Sequence, residues 1–118
     1  MPPRNWELRI RDILSAIDAI RQYTTGMHFA DFVSDRKTVD AVVRNLIVIG
    51  EAAGQVPEDV VVEHPEIPWS DMRDMRNIIV HEYFGVSDEI VWKTISINLS
   101  PLIPKLLSLL AGSADKDL

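Results

Sequence analysis

Apolar side chains recur at helical rather than alternating spacing almost throughout this chain, and only seven prolines and five glycines interrupt them. The pattern predicts an all-α fold. Asn5 is suited to cap a first helix running to about Tyr23, because Ile10, Ile13, Leu14, Ile17 and Ile20 form one continuous stripe. Thr24, Thr25 and Gly26 stop it, and Met27 to Val33 reads as a short helical turn. Asp35 can then cap a long second helix carrying Val39, Val42, Val43, Leu46, Ile49 and Ala53. That helix is apolar around much of its circumference, which places it in the middle of a bundle.

Gly50 and Gly54 each cost this helix roughly 1 kcal/mol relative to alanine, a cost better explained by close approach of a neighbouring helix than by a phosphate loop. Pro57 allows a short helix through Val62, and His64-Pro65-Glu66-Ile67-Pro68 is a stiff connector, since each proline biases the residue before it away from helical angles. The third long helix is expected from about Ser70 to between His81 and Tyr83, with Gly85 terminating it. Ser87 is a good N-cap for the last helix, and Asp88 and Glu89 complement its dipole. Pro101 and Pro104 should bend that helix around Ser100 before Leu102 to Leu110 continue the packing surface, and the tail 112–118 is expected to fray. Neither an internal repeat nor a second domain is visible, so residues 1–118 read as a single domain.

A chain of 118 residues can bury an apolar core unaided by metals or cross-links. The lack of cysteine excludes disulfides, zinc–thiolate sites and a thiol nucleophile. His28 and His64 have no ligand partners at helical or turn spacing, so neither a metal site nor a cofactor is expected. The first residues lead directly into Glu7, Arg9, Arg11 and Asp12 without the apolar block of a signal peptide, and no run is long enough to span a bilayer. The expected location is therefore the cytoplasm, with no membrane partner. A net charge of -6 runs against a nucleic-acid partner, unless a site assembled from two subunits gathers its arginines in one groove.

The segment from Arg73 to Tyr83 carries the chemistry. On a helix turning about 100° per residue, Met72, Met75, Ile78 and Ile79 face the core, while Asn77 and His81 share an exposed side. Arg76 and Tyr83, seven apart, share another edge. A neutral imidazole can take a proton from a ribose 2'-hydroxyl at physiological pH, and a guanidinium can hold two phosphate oxygens while their charge grows. Arg76 and His81 diverge by about 140° on an ideal helix, so either the helix loosens before His81 or two copies of the site meet across an interface. Glu51, a carboxylate in an otherwise apolar helix, needs a partner, and Arg76 or Arg73 is the natural one. Trp69 and Trp92 read as core anchors.

Spacing alone also fits a plainer picture, in which Arg76 pairs with Asp74 or Glu82 on the surface and His81 faces the last carbonyls of its helix. A non-catalytic helical module that binds a partner protein is the corresponding functional alternative.

Arg76, four intervening residues, His81, one residue and Tyr83 form an R-x4-H-x-Y signature with a polar residue, Asn77, after the arginine. This resembles the HepT-like toxins of the HEPN superfamily. The stretches Arg44 to Ala52, Pro65 to Trp69 and Val91-Trp92 resemble the same family in the same order, so the likeness runs from about Leu8 to Leu110.

The resemblance implies a homodimeric HEPN-type bundle of four to five main helices acting as a metal-independent RNA endonuclease, with Arg76 and His81 catalytic and Asn77 and Glu51 supporting them. It also implies a toxin–antitoxin pair, in which an MntA-like nucleotidyltransferase antitoxin neutralises the toxin by transferring AMP onto Tyr83. The implied substrate is RNA, with tRNA and mRNA both candidates.

Overall fold

The computed structural model describes residues 5–116, with side chains through Ser113. Seven α-helices, one 3-10 turn and one π-helical segment make up the described elements, with no strand among them. The all-α expectation holds, and four long helices dominate: α1 (Trp6–Thr24), α3 (Arg36–Gly54), α5 (Trp69–His81) and α7 (Leu102–Lys116). Between them lie α2 (Phe29–Ser34), α4 (Glu58–Glu63) and α6 (Asp88–Lys93).

Local chemistry sets most of the boundaries. The Asn5 side chain accepts the Glu7 backbone N–H at 3.1 Å and opens α1. Asp35 accepts both the backbone N–H and the hydroxyl of Thr38, at 3.2 and 2.7 Å, and opens α3. Ser87 accepts the Glu89 N–H at 3.2 Å and opens α6. α5 begins one residue before the expected Ser70, on Trp69, whose indole N–H donates to the His64 carbonyl at 3.0 Å across the proline connector.

α3 is the central helix: α1 packs along one side of it and α5 along the other, while α7 lies on α1. Val39, Val42, Val43, Leu46, Ile49, Ala52 and Ala53 supply its buried surface. Ile10, Ile13, Ile17 and Ile20 of the expected α1 stripe are buried together with Ala16, while Leu14 is only partly buried. Trp92, half-buried, packs on Phe32 with ring centroids 5.1 Å apart and ties α6 to α2.

α5 ends at His81, within the expected range, because Glu82 leaves helical geometry at φ -128° and ψ 37°. Three local features depart from the sequence reading. A 3-10 turn, Tyr83–Gly85, follows α5, and Gly85 does not take the left-handed cap conformation, which among the glycines only Gly26 adopts. The bend near Ser100 is present, at 53° between Asp88–Asn98 and Leu102–Ser113. Ahead of it Thr94–Asn98 widens into a π-helix, a form that leaves no signature in apolar spacing. α7 continues past Gly112 to Lys116; of the tail expected to fray, residues 117 and 118 lie outside the described residues. No single helix among the described residues is long and apolar enough to cross a membrane.

Candidate active site

α5 reaches α3 more closely than side chains normally permit. A Cβ placed on Gly50 would overlap the Arg76 Cβ and come within 2.8 Å of the Met72 carbonyl oxygen. Glycine at position 50 is therefore what lets the two backbones meet, as its cost within a helix suggests. Gly54 has no such role, since its nearest neighbour would be the flexible Arg73 side chain at 3.8 Å.

This contact aims Arg76 along the surface of α3. Its Nε and Nη2 both donate to Glu51 Oε1, at 2.7 and 2.6 Å. Its Nη1 donates to Asn77 Oδ1 at 3.0 Å. Of the two arginines open to Glu51 from sequence, the structure pairs it with Arg76. The pair sits at the surface, with side-chain exposures of 31% for Arg76 and 50% for Glu51, so burial is not what holds it together. Two of the five guanidinium donors remain, one on Nη1 and one on Nη2, enough for an anion arriving from solvent.

An open groove of ≈ 260 Å³ lies at this point, between the C-terminal end of α3 and the middle of α5, and Arg73 lines it beside Arg76. The Arg73 guanidinium makes no ion pair among the described residues. Two arginines one helical turn apart thus share one groove, a feature the spacing of residues 73 and 76 could have signalled.

His81 stands apart from this cluster. It is exposed at the last position of α5, and no hydrogen bond or ion pair holds its imidazole among the described residues. Because α5 stays α-helical to that residue, His81 and Arg76 are separated by about 140° and by about 7.5 Å along the axis. The loosening of the helix that would bring them together within one chain is absent. Asn77, which shares the exposed side of His81 on a helical wheel, bonds Arg76 instead.

Tyr83 lies beyond the break at Glu82, so a helical wheel does not give its direction. The ring is half exposed, at 51%, and meets Phe84 edge-on with centroids 5.5 Å apart. Ile78, placed on the core face by the wheel, is also 51% exposed; Met72 and Ile79 carry the buried face of this helix. No group of three or more His, Asp or Glu among the described residues is arranged to hold a metal ion.

The arrangement offers a fixed guanidinium with free donors, a second cation beside it, a free imidazole and an accessible phenol. Residues 13–109 match the family model described as Ribonuclease HepT-like. A Thermococcus cleftensis protein named "Probable ribonuclease HepT" is 43% identical over 93 residues, covering 79% of this chain and 84% of that protein. A "Putative RNase" of Methanocaldococcus jannaschii is 40% identical over 101 residues, covering 86% of this chain and 83% of that protein. Another "Putative RNase" of the same organism is 32% identical over 117 residues, covering 99% of this chain and 97% of that protein. No solved structure matches the chain.

Proposed function

Since this chain belongs to the HepT-like ribonuclease family, we propose that it is a metal-independent endoribonuclease, the toxin of a toxin–antitoxin pair, working in the cytoplasm as a homodimer. One observation carries the mechanism: Arg76 is clamped by Glu51 and Asn77 with donors left over, while His81 on the same straight helix faces elsewhere. A second copy brings the two kinds of group together. Paired α5 helices present two arginines and two histidines to one RNA strand, which also supplies the local positive field that an acidic chain otherwise lacks.

His81 of one copy takes the proton of a ribose 2'-hydroxyl, whose oxygen attacks the adjacent phosphorus. Arg76 donates to the non-bridging oxygens as their charge grows, and the bond to the 5'-oxygen breaks. That oxygen takes a proton from the second His81, leaving a 2',3'-cyclic phosphate and a 5'-hydroxyl. Charge stabilisation comes from the guanidinium and proton transfer from the imidazoles, so the chemistry needs no metal.

Tyr83 is the control point. An MntA-like nucleotidyltransferase transfers AMP from ATP to the hydroxyl of this half-exposed residue, releasing pyrophosphate, and the adduct sets an anion two residues from His81, where it obstructs the RNA and repels its phosphates. Expression of the chain alone should arrest growth, and co-expression of the nucleotidyltransferase should relieve the arrest while adding one AMP to the intact mass. Growth arrest that persists in a His81→Ala variant would favour the non-catalytic binding module.

A further inference from the structure

A second concavity, lined in part by Tyr83 and Phe84, lies outside the arginine groove. It has a volume of ≈ 250 Å³ and opens between the start of α3, the Tyr83–Gly85 turn and the start of α6. Val39, Ile79 and Val91 form an apolar floor, each at most 1% exposed. Phe84 stands at the mouth with its ring fully exposed, at 101%. This exposed phenylalanine sits in a regular turn three residues from His81.

The rim is polar and loosely ion-paired. Arg36 Nη1 approaches Asp88 Oδ2 at 3.6 Å, and Arg36 Nε approaches Asp40 Oδ1 at 3.6 Å. Both distances are beyond direct hydrogen bonding, so donors and acceptors remain on each side. Asp88 is the more enclosed of the two carboxylates, with a side-chain exposure of 30% against 54% for Asp40.

We propose that this cleft is a base-reading subsite that stacks a guanine of the RNA on Phe84 and holds its Watson–Crick edge with the Asp88 carboxylate. The proposal rests on the ribonuclease reading and adds a substrate preference to it. An apolar floor and a solvent-exposed aromatic ring suit any nucleobase, since every base has a face to stack. The carboxylate selects among them. Guanine presents two adjacent N–H donors, N1–H and the N2 amine, to the two oxygens of a carboxylate. Adenine and cytosine each set an acceptor nitrogen beside their single amine, and uracil flanks its one N–H with carbonyl oxygens. Arg36, beside Asp88 with Nη1 3.6 Å from its Oδ2, is placed to donate to O6, the acceptor next to N1–H.

The test uses the whole chain and two readouts. In the first, a pool of random-sequence RNA is cut and the fragment ends are sequenced, for wild type, Phe84→Ala and Asp88→Asn, each checked for an unchanged melting temperature. Guanine should be enriched at one fixed position within two nucleotides of the cut. Replacing that guanine by inosine should slow cleavage about tenfold, Asp88→Asn should flatten the preference, and Phe84→Ala should raise KM about tenfold. In the second, guanosine 5'-monophosphate is titrated into the wild type and followed by NMR. It should shift the resonances of Arg36, Val39 and Phe84, and bind about tenfold more tightly than adenosine 5'-monophosphate.

Cleavage without a guanine preference overturns the proposal and leaves the ribonuclease reading standing. Selective binding of the guanine nucleotide in the cleft by a chain that cuts no RNA does the reverse. A cleft that ignores the nucleotide and becomes shielded on dimerisation is occupied by a second copy instead, which also overturns the proposal.

Discussion

Gly50 of α3 and Arg76 of α5 stand so close that the backbone of one helix rests on the side-chain root of the other, with no room for even a methyl group between them. The same contact sets Arg76 beside Glu51, one residue further along α3, so that helix packing and the geometry of the guanidinium are one feature.

Gly50→Ala should therefore cost both stability and activity. Alanine would gain about 1 kcal/mol of helix propensity, but forcing α3 and α5 apart costs about 1–3 kcal/mol or more. A net loss in urea unfolding, together with weakened RNA cleavage, is the expected outcome. A variant more stable than wild type would show that the helices separate without strain.

Glu51→Gln separates positioning from folding. Glu51 and Arg76 are both partly exposed, so their pair should contribute about 1 kcal/mol or less to stability. With the clamp loosened, kcat should fall about tenfold while KM changes little, and Glu51→Asp should restore part of it. An increase in rate would mean that Glu51 instead competes with phosphate for the arginine.

The sequence exposes the fold well where one residue type decides the local structure. Asn5, Asp35 and Ser87 open helices because each can accept a backbone N–H, and the apolar stripe of α1 faces α3 as its spacing requires. Pairing of Glu51 with an arginine of α5 is readable from charge alone, but choosing Arg76 over Arg73 depends on the close approach at Gly50, a tertiary distance. The wheel fails past His81 because Glu82 leaves the helix, so the placement of Tyr83 and Phe84 and the cleft beside them is not encoded in periodicity. The π-helical turn after Lys93 is invisible for the same reason.

Acid should undo the start of α3 in a traceable way. Hydrogen bonds from the Thr38 hydroxyl and backbone hold the Asp35 carboxyl below its ordinary value of 3.8. Its stabilising effect is thus full above the unfolded-state value and lost as pH falls through the depressed folded-state value. Wild type should melt above Asp35→Ala at neutral pH, and the two curves should converge at strongly acidic pH. A gap that persists there would mean that the cap acts without its charge.

Tyr83→Phe should abolish the AMP adduct in the intact mass after co-expression with the nucleotidyltransferase, and neutralisation should disappear with it. An adduct that remains on the variant chain would move the modification to another residue.

The central claim is tested most directly by incubating RNA with the purified chain in the presence of EDTA, beside His81→Ala, and mapping the fragment ends. The predicted result is discrete cleavage that leaves 2',3'-cyclic phosphate and 5'-hydroxyl ends and is lost in the variant. Fragments with 5'-phosphate ends, or cleavage that survives loss of His81, would contradict it.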